Sequence, residues 1–152
     1  MTAKYEAAMI FSVANGEEAT LALKEKFGNG KRIKTTASIP FSSQRKFQAV
    51  TFEKYGTFIL GAPEFVLREK FELIKNDVNK YAAMGYRVLC LAHREGTIVE
   101  NNLPDTELSI ASIILIEDNI RPDAINTIKY FRDSGVQVRV ISGDNPLTVS
   151  KI

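Results

Sequence analysis

Apolar and polar positions follow three successive rhythms along the chain. In the first, "ANGEEATLALKEKFG" sets Ala19, Ala22, Leu23 and Phe27 at the three- and four-residue spacing of one helix face. Asn15 can cap this helix, Glu17 and Glu18 occupy its first turn, Lys24 and Lys26 lie near its end, and Gly28 closes it. Another helix, over roughly residues 5–13, precedes it. The second rhythm is that of strands. "KRIKTTASIPF" and "RKFQAVTFE" alternate with the two-residue period of half-buried strands, and after a Tyr55-Gly56 turn "TFILGAP" lies close enough to form a hairpin partner. Pro63 ends that strand and opens a short helix. "ELIKNDVNKYAAMG" predicts a further helix with Leu73, Val78, Tyr81 and Met84 facing inward and Gly85 at its end. "YRVLCLAHRE" is again a strand, and "GTIVENNLPDTE" a loop. Helices flanking consecutive hairpin-connected strands predict an α+β fold with an antiparallel sheet.

The third rhythm begins near Leu108. "LSIASIILIE" is almost continuously apolar, as strands buried on both faces are. "RPDAINTIKYFRDSG" predicts a helix with Pro122 near its start, Ala124, Ile125, Ile128 and Phe131 inward, and Gly135 as its stop. "VQVRVIS" predicts a second strand, parallel to the first across a right-handed crossover. The division expected is a complete domain over residues 1–107, followed by a partial βαβ unit of another domain over 108–152.

Composition narrows the partners. The chain has 152 residues and a formal charge of +2, too small to argue for nucleic acid or an anionic membrane surface. It has no run of eighteen apolar residues that could span a bilayer and no signal-peptide pattern at its start. A single cysteine, Cys90, excludes an internal disulfide, fits a reducing compartment, and sits in an apolar strand as a small core residue. His93, the one histidine, has no second histidine or usable cysteine pair for a metal site, and its setting in the sequence offers no Ser-His-Asp set. "FGNGKR" lacks the glycine spacing and the hydroxyl residue of a phosphate-binding P-loop.

Four stretches carry candidate chemistry. Asp118 and Asp144 follow the two strands expected to be parallel, so both carboxylates belong at one sheet edge. Paired acids there suit Mg²⁺-assisted phosphoryl transfer, although either can simply open a turn or cap a helix. In "PFSSQRK", Phe41 stands at a strand end, where a ring can stack on a base, and Lys46 can meet a phosphate as a point charge. The alternative is a core phenylalanine beside a solvated basic turn. In "GAPE", Gly61 and Ala62 permit close backbone approach by a ligand, or form only a strand-to-helix turn. Arg87, just past a helix stop, can reach a phosphate or lie on the surface.

In their order, "PFSSQRK", "GAPE", "GYRVLCLA", "DNIRP" and "SGDNPLT" resemble the cytoplasmic part of P-type cation-transporting ATPases over essentially the whole chain. The resemblance implies a nucleotide-binding domain followed by part of a haloacid-dehalogenase-like phosphorylation domain. It makes Phe41 the ring that stacks on adenine, with Ser43, Lys46, Gly61 and Ala62 around the nucleotide. Arg87 becomes a contact to ATP phosphates, and Asp118 with Arg121 the Asp-x-x-Arg motif near the hinge. Gly143 and Asp144 match the supporting loop beside the phosphorylated aspartate, with Ser142 in place of the usual threonine.

Two departures qualify what is implied. Neither "DKTGT", which holds the family's nucleophile, nor "GDGxND", which holds Mg²⁺, occurs in the chain. The expectation is therefore a piece of a larger pump, its phosphorylation, actuator and membrane domains supplied elsewhere. Such a piece, on the cytoplasmic side of the membrane, binds ATP without hydrolysing it, and Mg²⁺ serves the intact enzyme. The family's usual lysine before "GAPE" is here Leu60, which predicts weak ATP binding, with Kd on the order of a millimolar. The alternative is a degraded, nucleotide-insensitive interaction or regulatory module on the same scaffold. The His-Pro pair of heavy-metal pumps is absent, since His93 precedes Arg94, and the resemblance leans toward a Ca²⁺ or Mg²⁺ pump.

Overall fold

The computed structural model describes residues 33–117 and 122–141. The expected helices before residue 29, together with Asp118, Arg121, Gly143 and Asp144, lie outside these. The described part is built on a five-stranded antiparallel sheet in which strand order equals chain order. The strands are β1 (Thr35–Ile39), β2 (Phe47–Phe52), β3 (Gly56–Gly61), β4 (Tyr86–Arg94) and β5 (Ser109–Glu117). Between β3 and β4 run α1 (Pro63–Leu67), a 3-10 segment (Arg68–Leu73) and α2 (Lys75–Ala83); α3 (Ala124–Asp133) follows β5. The α+β class and the antiparallel sheet are those the sequence pattern predicts.

The β2–β3 hairpin forms as expected. Tyr55 N–H donates to the Phe52 carbonyl at 3.1 Å, and Gly56 takes the positive φ of 73° that closes the turn. The alternation in β2, however, does not separate a buried face from a wet one, because all six of its residues are buried. It separates two cores. Val50, Phe52, Phe58, Leu60, Leu91 and Ile114 cluster on one face. Phe47, Ala49, Ile59, Cys90 and Ala92 lie on the other, against Val66 and Leu67 of α1 and Ile98 and Leu108 of the β4–β5 loop.

Polar atoms trapped between strands are matched to one another. The Thr51 and Thr57 hydroxyls lie 2.8 Å apart, Thr57 Oγ1 donates to the Gly96 carbonyl, and Ile98 N–H donates to Thr51 Oγ1. With its own proton committed to Gly96, the Thr57 oxygen is left to accept from Thr51. This network ties the β2–β3 hairpin to the β4–β5 loop, whose other end is held where Arg94 donates to the carbonyls of Pro104 and Thr106. Lys70 Nζ adds a contact from the 3-10 segment to the Leu108 carbonyl at 2.7 Å.

Three expectations need correction. Leu73 and Met84 are exposed, whereas Val78 and Ala82 are the buried residues of α2. The helix begins only at Lys75, which places Leu73 in the 3-10 segment and off the inward stripe. The second correction concerns β5. It pairs antiparallel with β4 from Tyr86↔Glu117 to His93↔Ser109, so it extends the sheet, and no parallel partner for it lies among the described residues. Its apolar run reads equally well as either, and the pairing with β4 shows it to be an antiparallel neighbour. The sheet thus continues past the expected boundary at 107/108. Third, residues 136–141 form no strand, and no described strand lies beside them. Ile125, Ile128 and Phe131 of α3 are correspondingly exposed, and α3 buries no residue.

Candidate functional site

The register gathers the candidate residues at one end of the sheet. Phe47, the first residue of β2, pairs with Gly61, the last of β3, and Gly61 pairs with Cys90 in the middle of β4. The Phe41–Lys46 loop that feeds β2, the Gly61–Ala62 exit from β3 and the first half of β4 therefore share one edge. Residues 86–89 project beyond the end of β3, and Arg87 stands on this projection. Arg87, Leu89 and Leu91 alternate onto the face that carries Leu60, with about 13 Å of strand between Arg87 and Leu91.

The loop is a tight, bonded turn. Lys46 N–H donates to the Ser42 carbonyl at 2.8 Å, Arg45 N–H to Ser42 Oγ at 3.1 Å, and the Arg45 guanidinium to the Pro40 carbonyl at 2.9 Å. Phe41 is half-buried and Ser43 exposed. Lys46 adopts φ 58°, a left-handed conformation that costs a non-glycine residue roughly 1–2 kcal/mol. Its carbonyl accepts from Ala62 N–H at 3.0 Å, so backbone bonds on both sides hold it there.

Gly61 is closely approached by the chain itself. A Cβ at this position would lie 2.3 Å from the Lys46 carbonyl oxygen and 2.5 Å from Phe47 Cβ. The room left by the missing side chain is filled by the chain's own neighbouring strand, not left open to a ligand. The glycine is thus what lets the loop close on the β3 exit. Leu60, just before it, is buried in the core cluster opposite Leu91. Arg87 is half-buried with its Nε out of contact with solvent.

Cys90, beside Gly61, is fully buried, and burial pushes its thiol up to about 12 from 9.0. It is a core residue without nucleophilic character at neutral pH. His93 Nε2 lies 2.7 Å from the Tyr55 carbonyl, and its ring packs on Phe58 at 4.7 Å, a structural role at the opposite end of the sheet. Among the described residues, no group of three or more His, Cys, Asp or Glu could hold a metal ion. The donors at this edge are cationic and aromatic, a set that fits a nucleotide and does not fit Mg²⁺. Also among the described residues, no helix is long and apolar enough to cross a membrane. Gln48 of β2, which the sequence reading does not single out, is buried.

Matches to known proteins agree with the motif order. No family model matches the chain. The calcium-transporting ATPase CtpE of Mycobacterium tuberculosis is 32% identical over 146 residues, covering 96% of this chain and 18% of its own length. The probable cation-transporting ATPase exp7 of Streptococcus pneumoniae is 35% identical over 133 residues, 86% of this chain and 16% of its own. Plasma membrane calcium-transporting ATPase 4 of Bos taurus is 28% identical over 139 residues, 74% of this chain and 12% of its own. The chain thus spans less than a fifth of the length of these relatives. Its ordered motifs, its antiparallel α+β sheet and these matches together place the chain with the P-type cation-transporting ATPases, as the counterpart of one segment of them.

Proposed function

We propose that the chain is the ATP-binding part of a cation pump that couples ATP hydrolysis, through an aspartyl-phosphate formed elsewhere in the pump, to ion movement across a membrane. The observation that carries this reading is the shared sheet edge of the Phe41–Lys46 loop, the Gly61–Ala62 turn and Arg87. Phe41 stacks on adenine, while Ser43 and Lys46 line the sugar and phosphate side. Arg87 meets the phosphates from the projecting end of β4. Gly61 and Ala62 fix Lys46 through its carbonyl and so belong to the pocket as its frame.

Asp118 and Arg121 follow β5 directly in sequence, and β5 ends beside Tyr86 at this same edge. We assign them to nucleotide handling at the junction with the phosphorylation domain, and Gly143 with Asp144 to the loop supporting phosphoryl transfer in the intact pump. Mg²⁺ would accompany ATP there. The partners are ATP and the pump's phosphorylation, actuator and membrane domains, with the chain on the cytoplasmic side. CtpE and the bovine relative are both named as calcium transporters, which favours Ca²⁺ as the ion moved. With no nucleophile motif in the chain, it binds ATP without hydrolysing it.

Kd for ATP is on the order of a millimolar, about −4 kcal/mol, because Leu60 offers no charge to the nucleotide. Phe41→Ala and Arg87→Ala should each weaken binding at least fivefold, the lower end of what one stacked base is worth. Equal ATP affinity in the native chain and both variants would contradict the assignment. The rival reading, a nucleotide-insensitive module, draws on the burial of Leu60 in the hydrophobic cluster. It predicts no saturable ATP binding at all.

A further inference from the structure

The chain turns from β1 into β2 over residues 40–46, and the residues on both sides of Phe41 are tied across this turn. Before it, Arg45 Nη2 donates to the Pro40 carbonyl at 2.9 Å. After it, Ser42 accepts twice, at Oγ from Arg45 N–H at 3.1 Å and at its carbonyl from Lys46 N–H at 2.8 Å. The Pro40 carbonyl lies in the planar peptide that joins Pro40 to Phe41. That plane cannot turn without breaking the Arg45 bond, and its direction sets where the Phe41 side chain leaves the backbone. The far end of the turn is anchored too, since the Lys46 carbonyl accepts from Ala62 N–H at 3.0 Å. Stability alone does not call for this guanidinium. Arg45 is exposed, and a hydrogen bond in contact with water adds little to folding, while pinning a long side chain costs rotamer freedom. What the bond does is restrict the turn.

We propose that Arg45 is a positioning residue: its guanidinium, bonded to the Pro40 carbonyl, fixes the direction of the Phe41 ring and so sets the stacking platform before a base arrives. The inference rests on the nucleotide reading above. In this role Arg45 touches no part of the nucleotide and acts only through Phe41. A turn already ordered loses less conformational freedom when a ligand binds than a loose one does, which is where the gain in affinity comes from. The clamp uses one N–H and one carbonyl, so a lysine, with similar reach and an ammonium donor, can replace it. A direct contact from Arg45 to the triphosphate is the competing role. It differs in what it depends on, because the clamp acts on the base and the contact acts on the phosphates.

The test titrates the native chain, Arg45→Ala and Arg45→Lys with ATP and with adenosine, following amide NMR shifts, and measures the melting temperature of each. Arg45→Ala should weaken ATP and adenosine by the same factor, about two- to fivefold, the worth of one exposed hydrogen bond, with the melting temperature unchanged. Arg45→Lys should restore most of both affinities. A loss for ATP alone overturns the inference and makes Arg45 a phosphate contact. Affinities undiminished in Arg45→Ala overturn it as well, and so does a fall in affinity that comes with a fall in melting temperature, the mark of a merely structural role. Adenosine that gives no shifts where ATP does would also overturn it, since the base would then owe nothing to Phe41. Absence of saturable ATP shifts in the native chain overturns the nucleotide reading itself. If Arg45→Ala loses amide dispersion, Arg45→Met, which keeps a long stem, serves in its place and must show the same equal loss.

Discussion

Lys46 shows most clearly what a single residue contributes at the candidate edge. It is held at φ 58° by its N–H bond to Ser42 and by the Ala62 bond to its carbonyl. Strain kept at a charged residue points to use of that charge. Lys46→Gly removes both the strain and the ammonium group, so stability should be unchanged or rise by up to about 1 kcal/mol while ATP affinity falls. Chemical denaturation alongside an ATP titration checks this, and a fall in both would assign Lys46 a merely structural role.

Gly61→Ala should act in the opposite sense. The added methyl meets the Lys46 carbonyl and the Phe47 backbone and cannot be relieved by a side-chain rotation, so a loss of about 1–3 kcal/mol is expected, again read by denaturation. Cys90 gives a pH signature. Its folded thiol, raised to about 12, keeps its proton where the unfolded thiol near 9.0 has lost it. Stability is therefore complete below pH 9 and declines from there toward pH 12, by up to about 4 kcal/mol. Cys90→Ala should flatten that part of the stability–pH curve, and native Cys90 should resist thiol reagents until the protein unfolds.

At the scale of elements, hairpin partners and helix stops were legible because turn chemistry is local. Tyr55-Gly56, Pro63, Gly85 and Gly135 all stand where their backbone preferences place them. The direction of β5 was not legible, since a long apolar strand looks the same whether its neighbour is parallel or antiparallel. Inward faces of α2 and α3 were misjudged for a related reason: periodicity gives a stripe but not the position where the helix starts, nor whether anything covers it. Of the candidate site, Phe41, Lys46 and Arg87 could be singled out by residue type and order. The role of Gly61 and the burial of Gln48 depend on register across strands, which no local pattern encodes. The Thr51–Thr57 network is another product of register. Thr57→Val should cost about 1–3 kcal/mol, because it leaves the buried Thr51 hydroxyl without an acceptor and unties the Gly96 carbonyl of the β4–β5 loop. Thr51→Val and Thr57→Val together should cost less than the sum of the two single changes, a cycle that denaturation can measure.

For the molecule as a whole, the proposed function divides the sheet into a nucleotide-binding end and a purely structural end. The first bears Phe41–Lys46, Gly61–Ala62 and Arg87. The second bears Tyr55, Gly56, His93 and Arg94, with the Tyr55 carbonyl bonded to His93 of β4 and the β4–β5 loop held by the Thr57 and Arg94 hydrogen bonds. Both ends belong to one sheet, so each serves as a control for the other. The most direct test is an ATP titration of isotope-labelled protein followed through backbone amide NMR shifts. The account predicts saturable shifts at Phe41, Lys46, Gly61 and Arg87, with Kd on the order of a millimolar, and little change at Tyr55, Gly56 and Arg94. Shifts spread evenly over both ends, or none up to about 10 mM ATP, where a binding energy of roughly −3 kcal/mol still shows, would contradict it.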